Sequence, residues 1–211
     1  EEGFFLSINL GEVMSEQWKL HELEQIGGHP ITILGTPVVI KDEESIRFDG
    51  VHDGIIVLNN PLSGAENFTL EVIFKPEASS DPNNVEQRFV HIQNTVNENS
   101  RILIELRLTE DNQWFLDTFL KSDDKALTLY AEKFPHPVDQ WYHAALVYEN
   151  GTMKHFVNGI EEMSGSVEYV PINDGHTSIG MRINQVSWFK GLIKTIRATK
   201  RALKPEEFLG K

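Results

Sequence analysis

Apolar and polar residues alternate with a period of two over much of this chain. In Phe68-Thr69-Leu70-Glu71-Val72-Ile73-Phe74 the apolar residues at 68, 70, 72 and 74 fall on one face of an extended strand, and Pro76 ends it. From Arg101 to Leu108 the residues Ile102, Ile104, Leu106 and Leu108 face one way, and Glu105 and Arg107 the other. Asp111-Asn112 is a turn signal, and Trp114 to Leu120 is the next predicted strand. Further on, Trp141–Tyr148 and Thr152–Val157 are separated by Asn150-Gly151, and Asn158-Gly159 follows. Asn-Gly pairs tolerate the positive φ of tight hairpin turns, so two of them eight residues apart predict an antiparallel meander. Asn173-Asp174-Gly175 predicts another turn before a strand over Thr177–Ile183, and Val186–Ala198 reads as the last long strand. Pro205-Glu206-Glu207 suits the first turn of a short helix.

The first 34 residues are less regular. Phe4-Phe5-Leu6 predicts a strand, Met14, Trp18 and Ile26 line either a short helix or an irregular loop, and Gly27-Gly28 breaks the chain. The expectation is one all-β domain over residues 1–211, a sandwich or a barrel, on which an irregular segment 1–34 packs. With 40 % hydrophobic residues, a chain of 211 can bury a sizeable core.

A net charge of −13 argues against nucleic acid and against anionic membrane surfaces, both of which demand clustered Lys and Arg. No apolar run approaches 18 residues, so no membrane insertion is expected. The absence of Cys excludes disulfides, zinc–thiolate sites and thiol chemistry. Beginning at Glu1 without a signal-type stretch, the sequence reads as a trimmed or mature chain.

Five segments, in order, resemble the laminin-G-like domains of the concanavalin A-like lectin and glucanase jelly rolls. Phe48-Asp49-Gly50 is similar to their early "FDG" strand, Phe68–Pro76 to their "FTIEAWVKP" strand, and Trp141–Gly159 to their "W-H-VA-YDG-LYVNG" hairpins. Ser178-Ile179-Gly180 with Phe189-Lys190-Gly191-Leu192-Ile193, and then Arg201–Glu207, are similar to their ending. The resemblance runs from about residue 35 to residue 209. It implies two antiparallel sheets, a carbohydrate or glycan partner, an extracellular, cell-surface or periplasmic bacterial location, and in many relatives a structural Ca²⁺. Where many relatives carry an Asp after this motif, the chain has Lys194, whose ammonium would repel a hard cation. No cofactor is therefore expected, with Asp49 and Asp53 left as the alternative oxygen donors for Ca²⁺.

Glycosidases work with two carboxylates about 5–10 Å apart. The nearest candidate pair is Glu105 with Asp117 on the following strand, and Arg107 stands where a second acid would be expected on the same strand. The competing reading is a cross-strand ion network of Glu71, Glu105, Arg107 and Asp117. None of the eight His forms a His-x-x-x-His pair, and His143 is expected to pack on a strand face with Ala145 and Val147. Trp188 and Lys190 should share the face opposite Phe189, where an indole can stack on a sugar ring. Arg182, on the preceding strand, and Arg107 can donate to hydroxyls or a carboxylate. The expected ligand-binding set is thus Glu105, Arg107, Asp117, Arg182, Trp188 and Lys190, with no catalytic residue assigned. The function that follows is a non-catalytic glycan-binding module. The alternatives are a concanavalin-like glycoside hydrolase or lyase using Glu105 and Asp117, and a protein–protein adhesion module.

Overall fold

The computed structural model describes residues 14–210, so the predicted strand at Phe4–Leu6 lies outside the described residues. In chain order the strands are β1 (Ser15–Lys19), β2 (Ile31–Leu34), β3 (Val38–Ile40), β4 (Ser45–Asp49), β5 (Gly54–Val57), β6 (Phe68–Pro76), β7 (Glu86–Asn94) and β8 (Ser100–Leu108). They continue with β9 (Gln113–Ser122), β10 (Lys125–Tyr130), β11 (His136–Pro137), β12 (Tyr142–Glu149), β13 (Thr152–Val157), β14 (Ile160–Ser166), β15 (Gly175–Ile179) and β16 (Lys190–Thr199). Short 3₁₀ turns at Lys41–Glu43 and Pro205–Glu207 are the helical segments among the described residues.

Two eight-stranded antiparallel sheets form the sandwich. One runs β14-β13-β12-β6-β16-β4-β3, with β1 also on β16; the other runs β10-β9-β8-β7-β15-β5-β2, with β11 on β9. The alternation in the sequence is what builds this arrangement. Phe68, Leu70, Val72 and Phe74 of β6 meet Ile102, Ile104 and Leu106 of β8 and Trp114, Leu116 and Leu120 of β9 in one buried core. Its centre is aromatic: Phe74 lies 4.5 Å from Phe89 and 5.1 Å from Trp114, ring centre to ring centre, and Phe89 lies 5.1 Å from Phe189. Burial of each such ring contributes about 1.5–3 kcal/mol. Both Asn-Gly hairpins form as the sequence predicts, with φ of 47° and 86° at Asn150 and Gly151, and 50° and 79° at Asn158 and Gly159.

The N-terminal segment departs from its sequence reading. Trp18 and Ile26 are buried in the main core, but Trp18 sits on the strand β1 rather than on a helix or loop, and Met14 is exposed. Here β16 decides the outcome. Its register shifts between Ile193 and Thr195, β4 pairs with Lys190–Ile193, and β1 takes over the same edge at Thr195–Thr199. Unpaired backbone on β16 recruits a segment whose own pattern is too short to announce a strand.

The outer faces of the two sheets differ. On the first, Leu203 and Phe208 of the C-terminal tail pack on Ala145, Val147 and Phe156. His143 shares that face, as expected, and contacts Glu71 Oε1 through Nε2 at 2.9 Å. Glu71 also contacts Arg197 Nε at 2.5 Å and accepts the Leu209 backbone N–H at 2.7 Å. Burial opposes ionisation of Glu71, yet His143 and Arg197 hold its carboxyl below the usual range. The tail therefore covers this face and leaves the outer face of β7, β8 and β9 as the open one.

Candidate functional site

On the outer face of the second sheet, Glu105 of β8 stands directly between Arg88 of β7 and Asp117 of β9 in the ladder. The period of two that buries Ile104 and Leu106 turns Glu105 and Arg107 outward, and the same period turns Asp117 outward beside them. Arg107 Nε donates to Asp117 Oδ2 at 2.9 Å, and Arg107 Nη1 contacts Glu86 Oε2 at 2.7 Å. Arg88 Nη2 pairs with Glu86 Oε1, and Arg88 Nε lies 3.2 Å from Glu105 Oε2 without the alignment of a hydrogen bond. Long guanidinium side chains lie over the acids, so Glu105 and Asp117 are 3 % and 1 % exposed.

That burial governs the protonation. Desolvation pushes the Glu105 carboxyl up to about 7, against the pull of Arg88 and Arg107 and with help from Asp117 and Glu86. Asp117 is raised by burial as well, with the Arg107 hydrogen bond pulling it back. Arg107 is held charged more firmly than usual, because Asp117, Glu86 and Glu105 outweigh its own burial. Two buried atoms of this lattice, Asp117 Oδ1 and Arg88 Nε, have no hydrogen-bond partner. Both residues line an open depression of about 230 Å³ with Arg101, Glu105, Arg107 and Arg182.

Four expected ligand-binding residues, Glu105, Arg107, Asp117 and Arg182, thus come together; the other two lie elsewhere. Glu71 is not part of this network, since it sits on the opposite sheet under the C-terminal tail. The strand expected over Thr177–Ile183 ends at Ile179, and Arg182 sits just beyond it, bridged to Val186 across a tight turn. The last strand begins at Lys190 rather than Val186. Trp188 therefore lies half-buried in the loop before β16 instead of alternating along a strand. Positive φ at Gln185 and Ser187 is what breaks the extended backbone there. Phe189 is fully buried as expected, and Lys190 lines a different depression of about 770 Å³ at the loop-lined end of the sandwich, with the 78–85 loop and the β8–β9 turn. The two regions touch through the Trp188 loop: Arg88 Nη1 donates to Ser187 Oγ at 2.5 Å. Sequence reasoning missed Glu86, Arg88 and Arg101. The β7 register shifts between Arg88 and Val90, so no period of two marks Arg88 as outward-facing.

The candidate cation site does not fit a metal. Asp49, His52 and Asp53 cluster closely. Asp49 Oδ1, however, accepts the backbone N–H groups of Val51, His52 and Asp53, and Asp53 accepts those of Thr36 and Asp49. The carboxylates close a turn instead of presenting the six or more oxygen ligands Ca²⁺ requires. Lys194 lies with Nζ 4.8 Å from the centre of the Trp141 ring, where a cation is already favoured. EDTA is accordingly expected to leave the melting temperature unchanged in a calorimetric scan; a fall of several degrees, restored by Ca²⁺, would overturn this assignment.

A family profile described as "Concanavalin A-like lectin/glucanases superfamily", of the laminin G type, matches residues 49–208. The chain belongs to that superfamily. Among curated proteins no significant sequence match was found. Among solved structures, domain 4 of AbnA, a GH43 extracellular arabinanase from Geobacillus stearothermophilus in complex with arabinotriose, superposes with a TM-score of 0.62 at 21 % identity, over 84 % of this chain and 85 % of that one. The binding domain of botulinum neurotoxin DC in complex with SialylT gives 0.68 at 13 % identity, over 92 % of this chain and 49 % of that one, so this chain spans about half of it. A heptameric SAP-like pentraxin from Limulus polyphemus gives 0.57 at 13 % identity, over 84 % and 79 %. At these identities the likeness establishes the superfamily's jelly-roll fold. Among the described residues, no helix is long and apolar enough to cross a membrane.

Proposed function

We propose that this superfamily member is a non-catalytic carbohydrate-binding module of an exported bacterial protein, working outside the cytoplasm. Its glycan rests on the open outer face of β7–β9. Glu105, Arg107, Asp117 and Arg182 are the polar contacts, and Trp188 and Lys190 lie on the flank towards the loop-lined end. The observation that carries this reading is that guanidiniums and carboxylates from three neighbouring strands, with Arg182 beside them, line one open depression on the uncovered sheet face. A sugar hydroxyl can donate to a carboxylate while accepting from a guanidinium, so a lattice of both groups suits it.

One observation favours hydrolysis instead. Glu105 and Asp117 are paired across the ladder, and a carboxyl with a pKa of about 7 has the protonation of a general acid. Against this, each carboxylate is already engaged by an arginine, Glu105 by Arg88 and Asp117 by Arg107. The depression of about 230 Å³ is also smaller than the roughly 300–1,000 Å³ of a site that encloses its ligand. A protein-adhesion surface would call for a contiguous apolar patch, whereas this face is carpeted by charged side chains.

A glycan array, with reducing-end release measured in parallel on soluble polysaccharides, tests the reading. Binding without turnover is expected, with affinity lowered several-fold in Asp117→Asn, and in Trp188→Ala if its melt is unchanged. Turnover by the wild type that Glu105→Gln or Asp117→Asn abolishes would establish an enzyme.

A further inference from the structure

Within this lattice the charges are unevenly matched. Arg88 and Arg107 each face acids, but Arg101 and Arg182, which line the same depression, form no ion pair among the described residues. Arg101 Nη1 donates only to the backbone carbonyl of Glu98. Its direct neighbours across the ladder are Lys121 on β9 and Gln93 on β7, neither an acid. A like charge directly opposite is unfavourable. Arg182, at the base of a turn, makes no side-chain hydrogen bond among the described residues. Burial and then Arg182 lower the Arg101 pKa, against the pull of Glu98 and Glu105, and burial and then Arg182, Arg101 and Arg88 push His91, fully buried on β7, well below its usual range. Two guanidiniums without a direct ion pair among the described residues thus stand at one end of a depression in a chain of net charge −13. Beside it lies a half-buried apolar surface, the Phe119 ring, over which Arg101 sits at 5.2 Å. Thr128 supplies an exposed hydroxyl on the same wall.

We infer that this end of the depression takes the carboxylate of a uronic-acid residue, with Arg101 and Arg182 as its two guanidinium partners. The inference rests on the carbohydrate-binding reading and narrows it to acidic glycans. A planar carboxylate offers two oxygens to two guanidiniums and relieves their mutual repulsion. The same ring packs beside the stacked Arg101 and Phe119 side chains, and its hydroxyls reach Thr128. Charge-assisted hydrogen bonds at a half-desolvated site are strong enough to discriminate an acidic sugar from its neutral counterpart by an order of magnitude or more.

Titration calorimetry with three probes tests this: an oligogalacturonate, a neutral galacto-oligosaccharide of the same length, and a sulfated oligosaccharide. The oligogalacturonate should bind at least tenfold tighter than the neutral oligomer, and its affinity should fall with added salt. Arg101→Gln and Arg182→Gln should each weaken oligogalacturonate binding at least tenfold, with melting temperatures unchanged or raised because a repulsive pair is removed. Equal binding of acidic and neutral oligomers, insensitive to both substitutions, would overturn the inference while leaving a carbohydrate module intact. Tighter binding of the sulfated probe would replace the carboxylate by a sulfate. Failure of all three to bind, together with an empty glycan array, would bring down the carbohydrate reading itself.

Discussion

Lowering the pH from 7.5 to 4 should destabilise the wild-type protein by about 3 kcal/mol relative to a His155→Asn variant. His155 of β13 is fully buried between the sheets, where its Nδ1 is 2.9 Å from Thr118 Oγ1 on β9 of the other sheet. Burial alone lowers the imidazole from 6.5 to about 3. Between those values the unfolded chain binds a proton that the native chain refuses, so stability rises with pH through this window and is lost on acidification. Glu162 Oε2 lies 3.9 Å from His155 Nε2, but the other oxygen of that carboxylate is already held by His136 Nε2 at 2.6 Å. Asn keeps a polar contact to Thr118 without titrating. The variant should be less stable at pH 7.5, and the gap between the two proteins in urea unfolding should shrink by about 3 kcal/mol at pH 4. A gap independent of pH would show that His155 is not held neutral.

Glu105 should produce the opposite slope. Burial pushes its carboxyl up to about 7 in the native state, against an ordinary value of 4.5. The native state therefore keeps a proton that the unfolded chain gives up, and stability falls as pH rises from 4.5 through 7. Glu105→Gln, a neutral isostere of the protonated acid, should match the wild type near pH 4.5 and exceed it by about 3 kcal/mol at pH 8.5. The groups that set this balance are Glu86 and Arg88 on β7, Arg107 on β8 and Asp117 on β9. Between pH 4.5 and 6.5 the Glu105 and His155 slopes oppose one another, so the wild-type profile is flattened there and only the single variants separate them. Wild type more stable than Glu105→Gln at pH 8.5 would mean that the Arg88 contact dominates burial, as happens when breaking a buried ion pair leaves its partner uncompensated.

The binding face illustrates where a linear pattern succeeds. Glu105, Arg107 and Asp117 were legible as outward neighbours because β8 and β9 keep an unbroken period of two, and antiparallel pairing then sets them side by side. Arg88 was hidden by the register shift in β7, and Trp188 was misplaced because positive φ at Gln185 and Ser187 ends the strand early. Neither irregularity leaves a period for a pattern to detect. Glu71 matched the others in residue type and alternation, yet it went to the opposite sheet, since alternation says which face of a strand is polar and nothing about which sheet the strand joins.

What the sequence determined by itself was local: the apolar stripe from Phe68 to Phe74, the Asn-Gly hairpins and with them an antiparallel all-β chain, because each follows from steric preferences and burial within a few residues, while the two-sheet sandwich and the buried Phe189 came from the resemblance to the superfamily. Only the tertiary structure decided that β1 would fill the edge of β16 and that the C-terminal tail would close one outer face and leave the other open. It also decided that four arginines would converge there with three acids, which pair with two of them. Those outcomes depend on contacts between segments up to 184 residues apart, whose free energy is set by what each uncovered edge or charge finds nearby once the core has formed.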